Sequence, residues 1–436
     1  MFVRSLLLIA CLAPLAHAET LTAVKMRERA AIMKHAKPQS RNKSVNNPYT
    51  PAYFLGIDIG QLQTSMRTLS QYPGVDISEP YWSGYYWPNY VGGLGYRYND
   101  PRFPKGKYGK SRRYIQGKLS STIPNALLSP SEKYDIVMGV TPEERGSLTT
   151  QQWNLAQAEF ADTRKVETWQ GICNGWAAAA ITLPTPKHSV AIPSARGDII
   201  FESEDIKALG SLLFAAGKFE SVFNGFRCFD EDPDMDDDRA VKPECFDINP
   251  ADWHLIVTHR LGQTRLPFII DYVNSKEVWN KPVVGYSLRY FNVKSRGQMS
   301  DDYNQVLAPA RKVKIFRRYR NPLAAYVLGV HMTTKLLFGA NEDSRVGQTF
   351  KTVEYSYLLE LDEQHRIIGG EWISEKHPDF AWMPKSFYLP ATDGDPQVVT
   401  FDPNRPDSSW RGGALASILH GAPLTKFVLN LFTVAQ

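Results

Sequence analysis

One thiol carries the most chemistry in this chain. Cys173 stands in the run ETWQGICNGWAAAAITLP, residues 167–184, between glycines and tryptophans and just ahead of four alanines. Gly171 and Gly175 bend the chain and keep the backbone beside the sulfur bare. Residues 177–180 are all alanine, the strongest helix former, and Pro184 ends the helix they predict. A cysteine at a helix N-terminus meets unpaired backbone N–H groups and the positive end of the helix dipole, and both favour thiolate. Cys173 therefore reads as a nucleophile. The plainer alternative is a small buried core cysteine.

A nucleophile needs a base and a group to orient that base. Residues 248–286, INPADWHLIVTHRLGQTRLPFIIDYVNSKEVWNKPVVGY, offer His254 and Asp271. Two apolar runs, 253–259 and 266–272, flank a turn at Gly262-Gln263 and read as an antiparallel hairpin. That register sets His254 opposite Asp271, where paired Cβ atoms lie within ~5.5 Å. Pro267 weakens the ladder because it cannot donate. Cysteine at a helix start, followed by histidine and carboxylate on neighbouring strands, is the papain-type layout. His254 would take the thiol proton, and Asp271 would fix the ring tautomer. Backbone N–H groups, an indole or the Gln170 amide would hold the oxyanion. Trp169, Trp176 and Trp279 would shield a thioester from water, core packing being their alternative role. Attack on that thioester by water gives a peptidase or deamidase; attack by an amine gives a transglutaminase.

The remaining cysteines bear on whether the thiol is free. Residues 1–18 read as a secretory signal: Arg4, an apolar core too short to span a bilayer, and the small-x-small site Ala16-His17-Ala18. No later stretch is long and apolar enough to be a transmembrane helix, so the expected location is secreted or periplasmic. Removal of the signal leaves Cys173, Cys228 and Cys245. In an oxidising compartment two should pair, and Cys228 with Cys245, flanking one acidic loop, is the natural bridge. Pairing of Cys173 with either neighbour would remove the nucleophile and stays open at this point. The same loop carries Asp234, Asp236 and Asp238, an alternation of oxygen ligands that calcium could use; a solvated acidic loop is the alternative.

The supporting elements follow from local pattern. Residues 19–50 form a basic arm or pro-segment. Residues 51–160 make an irregular and helical part rich in Tyr and Trp, with a helix opening at Ser129 and another carrying Trp153, Ala156 and Phe160 on one face. Residues 161–300 form the catalytic core, including a short strand at 198–201 and a helix starting at Ser203. Residues 301–436 read as mostly strand, with alternation through 306–320 and through 351–373 and turns at 362–364 or 369–370. The expected class is α+β, with a papain-like core and an antiparallel sheet. The formal charge of +5 is mild and gives no support for a nucleic-acid partner. The basic runs at 105–118 and 311–320 read as solvated faces. There is no Gly-rich phosphate loop, CxxC pair or HExxH helix, so nucleotide and zinc chemistry lack support.

Several stretches together resemble the transglutaminase elicitor family, which includes secreted cell-wall transglutaminases of oomycetes. They are WQGICNGWAAAAITLPTPKHSV, SEDIKALGSLL, DWHLIVTHRLG…FIIDYVNSKEVWNKPVVGY, the Cys228–Cys245 segment and LDEQHRIIGGEWISEKHPDFAW. The likeness runs from about residue 81 to residue 382, and the ICxGW and EVWNxPVxGY elements are its more specific parts. Asn174 stands where a histidine commonly follows the cysteine. The resemblance implies a papain-like core and protein-glutamine γ-glutamyltransferase activity, often assisted by calcium. Cys173 would be the nucleophile, His254 the base and Asp271 the carboxylate. Partners would be proteins: a glutamine donor and a lysine or small-amine acceptor. No cofactor is required by this chemistry, calcium being the one candidate. The competing readings are a cysteine peptidase or deamidase of the same fold, and a non-catalytic surface-binding protein.

Overall fold

A long antiparallel sheet, with helices against both faces, organises the chain. In a computed structural model the described residues are 50–225, 247–273, 277–295, 298–317, 320–339, 348–374, 376–385, 389–392, 394–395 and 408–436. The signal, most of the basic arm, Cys228, Cys245, Asp234, Asp236 and Asp238 lie outside them.

The helices that matter for the site are α1 (Pro130–Val137), α2 (Cys173–Thr182), α3 (Ser203–Ala216), α4 (Pro250–Val257), α5 (Ser408–Ile418) and α6 (Thr425–Val434). The main strands are β1 (Ser221–Asn224), β2 (Phe268–Asp271), β3 (Asn280–Phe291), β4 (Tyr326–Phe338), β5 (Thr349–Leu361), β6 (Ile367–Trp372) and β7 (Ala381–Pro384). Their order across the sheet is β6-β5-β4-β3-β2-β7-β1. Gly74–Asp76, Met299–Ser300 and Ala308–Pro309 add short pairings at the margins. Residues 190–192 and 199–201 form a separate two-stranded sheet.

The two faces of β2 show how the layers divide. Side chains on a strand alternate between faces. Ile269 joins the cluster that contains Trp176 and Ala177–Ala180 of α2, the buried face of α3 and the last two helices. Phe268 and Ile270 join a second cluster with Trp253, Ile256 and Val257 of α4. So α2 and α4 lie on opposite faces of one sheet.

Local sequence explains most of these elements. Ser129 caps α1 in a capping box with Glu132, and Pro130 sits at its first turn. Asp205 closes a capping box at the start of α3, accepting from Glu202 N–H at 2.7 Å. Asp205 also ties α3 to α1, through a fully buried ion pair with Lys133 at 2.5 Å. The turn between β5 and β6 falls at residues 362–366, where Asp362 accepts the Gln364 and Arg366 N–H groups.

Three expectations fail. Residues 253–259 are not a strand: α4 covers 250–257 and continues as a π-helical turn, Thr258–Gln263. Asn249 caps this helix, accepting from Ala251 N–H at 2.9 Å, and Pro250 occupies its first position. That Asn-Pro start is a helix signal. The helix is buried nearly all round, so its apolar run imitates a strand. Among the described residues of 306–320, only Ala308–Pro309 pairs as strand, and the rest are turns and the short 3-10 segment Ala310–Lys312 rather than one long strand. Arg320 there is mostly buried, donating at 2.7 Å to the carbonyls of Ala310, Val313 and Ile315. Finally, the chain ends in α5 and α6, which pack with α2 and α3 rather than extending the sheet.

Candidate active site

Cys173 is the first residue of α2 and is 5% exposed. It is a free cysteine. The two glycines flanking it have steric reasons. A Cβ on Gly171 would strike the Tyr86 carbonyl, and one on Gly175 would strike the Ser211 carbonyl of α3. The helix therefore starts close under the aromatic segment and packs tightly on α3. That aromatic segment acts as a clamp. Ile172 N–H donates to Tyr86 O at 2.8 Å, Asn89 N–H to Gln170 O at 2.9 Å, and Tyr86 O–H to Thr168 O at 2.8 Å. At the far end, Trp82 Nε1 donates to Leu183 O at 3.0 Å. The density of Tyr and Trp in residues 81–98 thus serves packing against α2.

The thiol meets the turn between β2 and β3. Asn280 Nδ2 donates to Cys173 Sγ at 3.5 Å, and Sγ–H points to Val278 O at 3.6 Å. Asn280 is itself fixed, its Oδ1 accepting from Trp382 Nε1 of β7 at 2.6 Å. Asp271 pairs with Asn280 across β2 and β3, so both side chains share one face. Asp271 Oδ1 accepts the Trp279 N–H at 2.9 Å and holds the turn. Among the described residues these are the thiol's hydrogen-bond partners, and no imidazole is among them.

The predicted residues therefore separate. Cys173 and Asp271 converge on the β2–β3 turn. His254 does not: it lies on α4, across the sheet. Its Nδ1 pairs with Tyr357 O–H at 2.8 Å, and Nε2 is buried with no hydrogen-bond partner among the described residues. Burial pushes His254 down to about 3, so its ring is neutral at physiological pH. The hairpin that would set it opposite Asp271 does not exist, because helix replaces its first strand. His254→Gln is expected to keep catalysis within about threefold of wild type while losing about 1–3 kcal/mol of stability through a disturbed buried hydrogen bond. Parallel activity and melting measurements check this, and a thousandfold activity loss in a folded variant would restore His254 as the base.

The supporting groups also shift role. The Gln170 amide hydrogen-bonds Glu159, which also accepts Glu167 N–H at 3.1 Å, so it braces the approach to α2. Trp176 is fully buried beneath the site and is core. Trp169 is half-buried. Trp279 is half-buried at the surface, its Nε1 donating to Glu277 at 2.8 Å and its ring edge-on to Tyr86 at 5.5 Å. Asn174 is exposed. Two cavities, of roughly 630 and 700 Å³, lie elsewhere and neither is lined by Cys173.

Sequence reasoning missed Asn280, Lys281 and Trp382. The signal was present in the first two: an Asn-Lys pair interrupts the otherwise apolar run VWNKPVVGY. Lys281 is 3% exposed. Its Nζ lies 4.8 Å from the Trp176 ring centre, 5.4 Å from Trp279 and 4.4 Å from Phe338.

The thiol at the start of α2 thus faces the strand ends of the antiparallel sheet. The architecture matches that of a solved structure. It is similar to the crystal structure of the GP42 transglutaminase from Phytophthora sojae, with a TM-score of 0.54, 20% identity, and coverage of 81% of this chain and 93% of that one. The chain belongs to the transglutaminase elicitor family, whose model matches residues 53–395. No curated protein sequence matches it.

Proposed function

We propose that the protein is a protein-glutamine γ-glutamyltransferase, secreted or periplasmic, with Cys173 as nucleophile. One observation carries the reading: a free thiol opens a helix and accepts a hydrogen bond from a carboxamide that a buried indole holds in place. Cys173 Sγ attacks the side-chain amide carbon of a glutamine. The amide nitrogen leaves as ammonia and a thioester remains. The ε-amine of a lysine then attacks the thioester carbonyl, an isopeptide bond forms and the thiolate returns.

The first helical bond of α2 runs from Trp176 N–H to Ile172 O. The N–H groups of residues 173–175 precede it, where a helix has donors to offer a developing oxyanion. Asn280 orients the sulfur and supports its charge. Asp271 acts through the turn backbone. Among the described residues no group of three or more His, Cys, Asp or Glu side chains is placed to hold a metal ion, and no helix is long and apolar enough to cross a membrane. The candidate calcium loop lies outside the described residues, so no step is routed through a metal.

The test is incorporation of a labelled primary amine into a glutamine-rich acceptor protein, with calcium and with chelator. Ammonia release that amine neither speeds nor diverts would assign the site to hydrolysis instead. Absence of both reactions in folded protein would leave a binding role. Asn280→Ala is expected to lower amine incorporation by about 10- to 100-fold, since a positioned donor to the reacting atom is lost. An unchanged rate would remove Asn280 from the site.

A further inference from the structure

In the proposed reaction Cys173 is the nucleophile, and among the described residues no imidazole hydrogen-bonds its sulfur, which leaves open where the thiol proton goes. Lys281 answers this on geometry. It follows Asn280, whose carboxamide is bonded to Sγ. Its ammonium lies over the ring of Trp176, one helical turn beyond Cys173 on α2. Three aromatic rings wall it, and among the described residues no carboxylate forms an ion pair with it. The titratable and charged groups acting on it are Cys173 from α2, Lys351 from β5 and Asp271 from β2, and Glu277 accepts from the indole of Trp279. Burial in this apolar setting, aided by Lys351 and opposed by Cys173 and Asp271, holds Lys281 down at about 8. A buried lysine of this kind exchanges protons near neutral pH, which an exposed one does not.

We propose that Lys281 is the proton partner of Cys173, taking the thiol proton as a neutral amine and holding the thiolate as an ammonium. The proposal rests on the acyl-transfer reading above and deepens it. The S–H bond breaks as an N–H bond forms on Nζ, the proton passing through one bridging water. Thiolate attack forms the S–C bond. The Lys281 ammonium returns its proton to the departing amide nitrogen as the C–N bond breaks, so ammonia leaves neutral. In the second half, Nζ takes a proton from the attacking lysine amine as the new C–N bond forms and the S–C bond breaks. The ammonium and thiolate that remain are the starting pair.

The experiment measures alkylation of Cys173 by iodoacetamide against pH, in wild type, Lys281→Met and Lys281→Arg, with amine incorporation measured alongside. The expected result is an upward move of the alkylation inflection by about one pH unit or more in the Met variant, because the thiolate loses its cation. The Arg variant should keep the wild-type alkylation profile yet lose about 100-fold or more of amine incorporation, because a guanidinium holds the charge but cannot release a proton. Superimposable alkylation profiles in wild type and the Met variant would overturn the proposal, as would full amine incorporation by the Arg variant. Lys281→Gln, with near-ultraviolet circular dichroism on each variant, controls for folding. Alkylation needs no turnover. If wild type incorporates no amine, the acyl-transfer reading fails while the profiles still decide the Cys173–Lys281 pair.

Discussion

Cys173→Ala is expected to lower amine incorporation by at least about a thousandfold, the scale of losing a covalent nucleophile. In the proposed reaction Sγ forms the bond to the substrate, and no neighbour can take its place. Asn280 and Trp382 carry no nucleophile, and Lys281 would give an amide that water does not reverse. The variant should fold, because alanine suits the start of a helix already rich in alanine, and the buried volume lost is one sulfur. Melting within a few degrees of wild type, together with loss of the acyl-enzyme that hydroxylamine traps from wild type, completes the expected result. Residual incorporation of a tenth of wild type or more would show that the chemistry lies elsewhere.

The second large effect has the opposite sign for stability. Lys281→Met should melt above wild type at neutral pH while losing activity. Holding Lys281 at about 8 against the ordinary 10.5 corresponds to roughly 3 kcal/mol spent on burying the charge. Contacts with aromatic faces return part of it, about 0.5–2 kcal/mol, so a net gain of about 1–2 kcal/mol is expected from an apolar side chain of similar length. The pH dependence separates this from ordinary repacking. The folded value is depressed, so between about 8 and 10.5 the unfolded chain binds more protons than the folded one. Wild-type stability contributed by this group therefore rises with pH across that window. The advantage of Met should be full at pH 8 and below and should fade toward pH 10.5. A difference that is independent of pH, or a variant less stable at pH 7, would contradict the assignment of a buried charge.

The sequence was most legible where one short pattern decides one element. The alanine run and its bounding glycines mark α2, the capping boxes mark α1 and α3, and the turn residues after Leu361 mark the hairpin of β5 and β6. The placement of His254 was not legible. The run WHLIVTH is apolar on every side because α4 is buried nearly all round, and periodicity cannot separate such a helix from a buried strand. The Asn249-Pro250 cap was the discriminating signal. Asp271 was found beside the site, but through its register with Asn280 rather than with His254. The α5–α6 ending was hidden for another reason: its helices earn their place by packing on α3 (Phe432 lies against Gly210), a contact that no local pattern encodes.

Trp382 holds Asn280 from a strand that lies between two much earlier ones, since β7 pairs with both β2 and β1. Tyr86, Cys173, Asp271, Asn280 and Lys281 all precede it by about a hundred residues or more. During synthesis the thiol, its carboxamide and its lysine all emerge before the indole that locks them. A chain stopped at residue 380 would carry the whole reactive set without the final constraint on its geometry. The hydrogen bond that fixes the carboxamide beside the thiol is thus supplied late in the chain, by a residue far in sequence from those it positions.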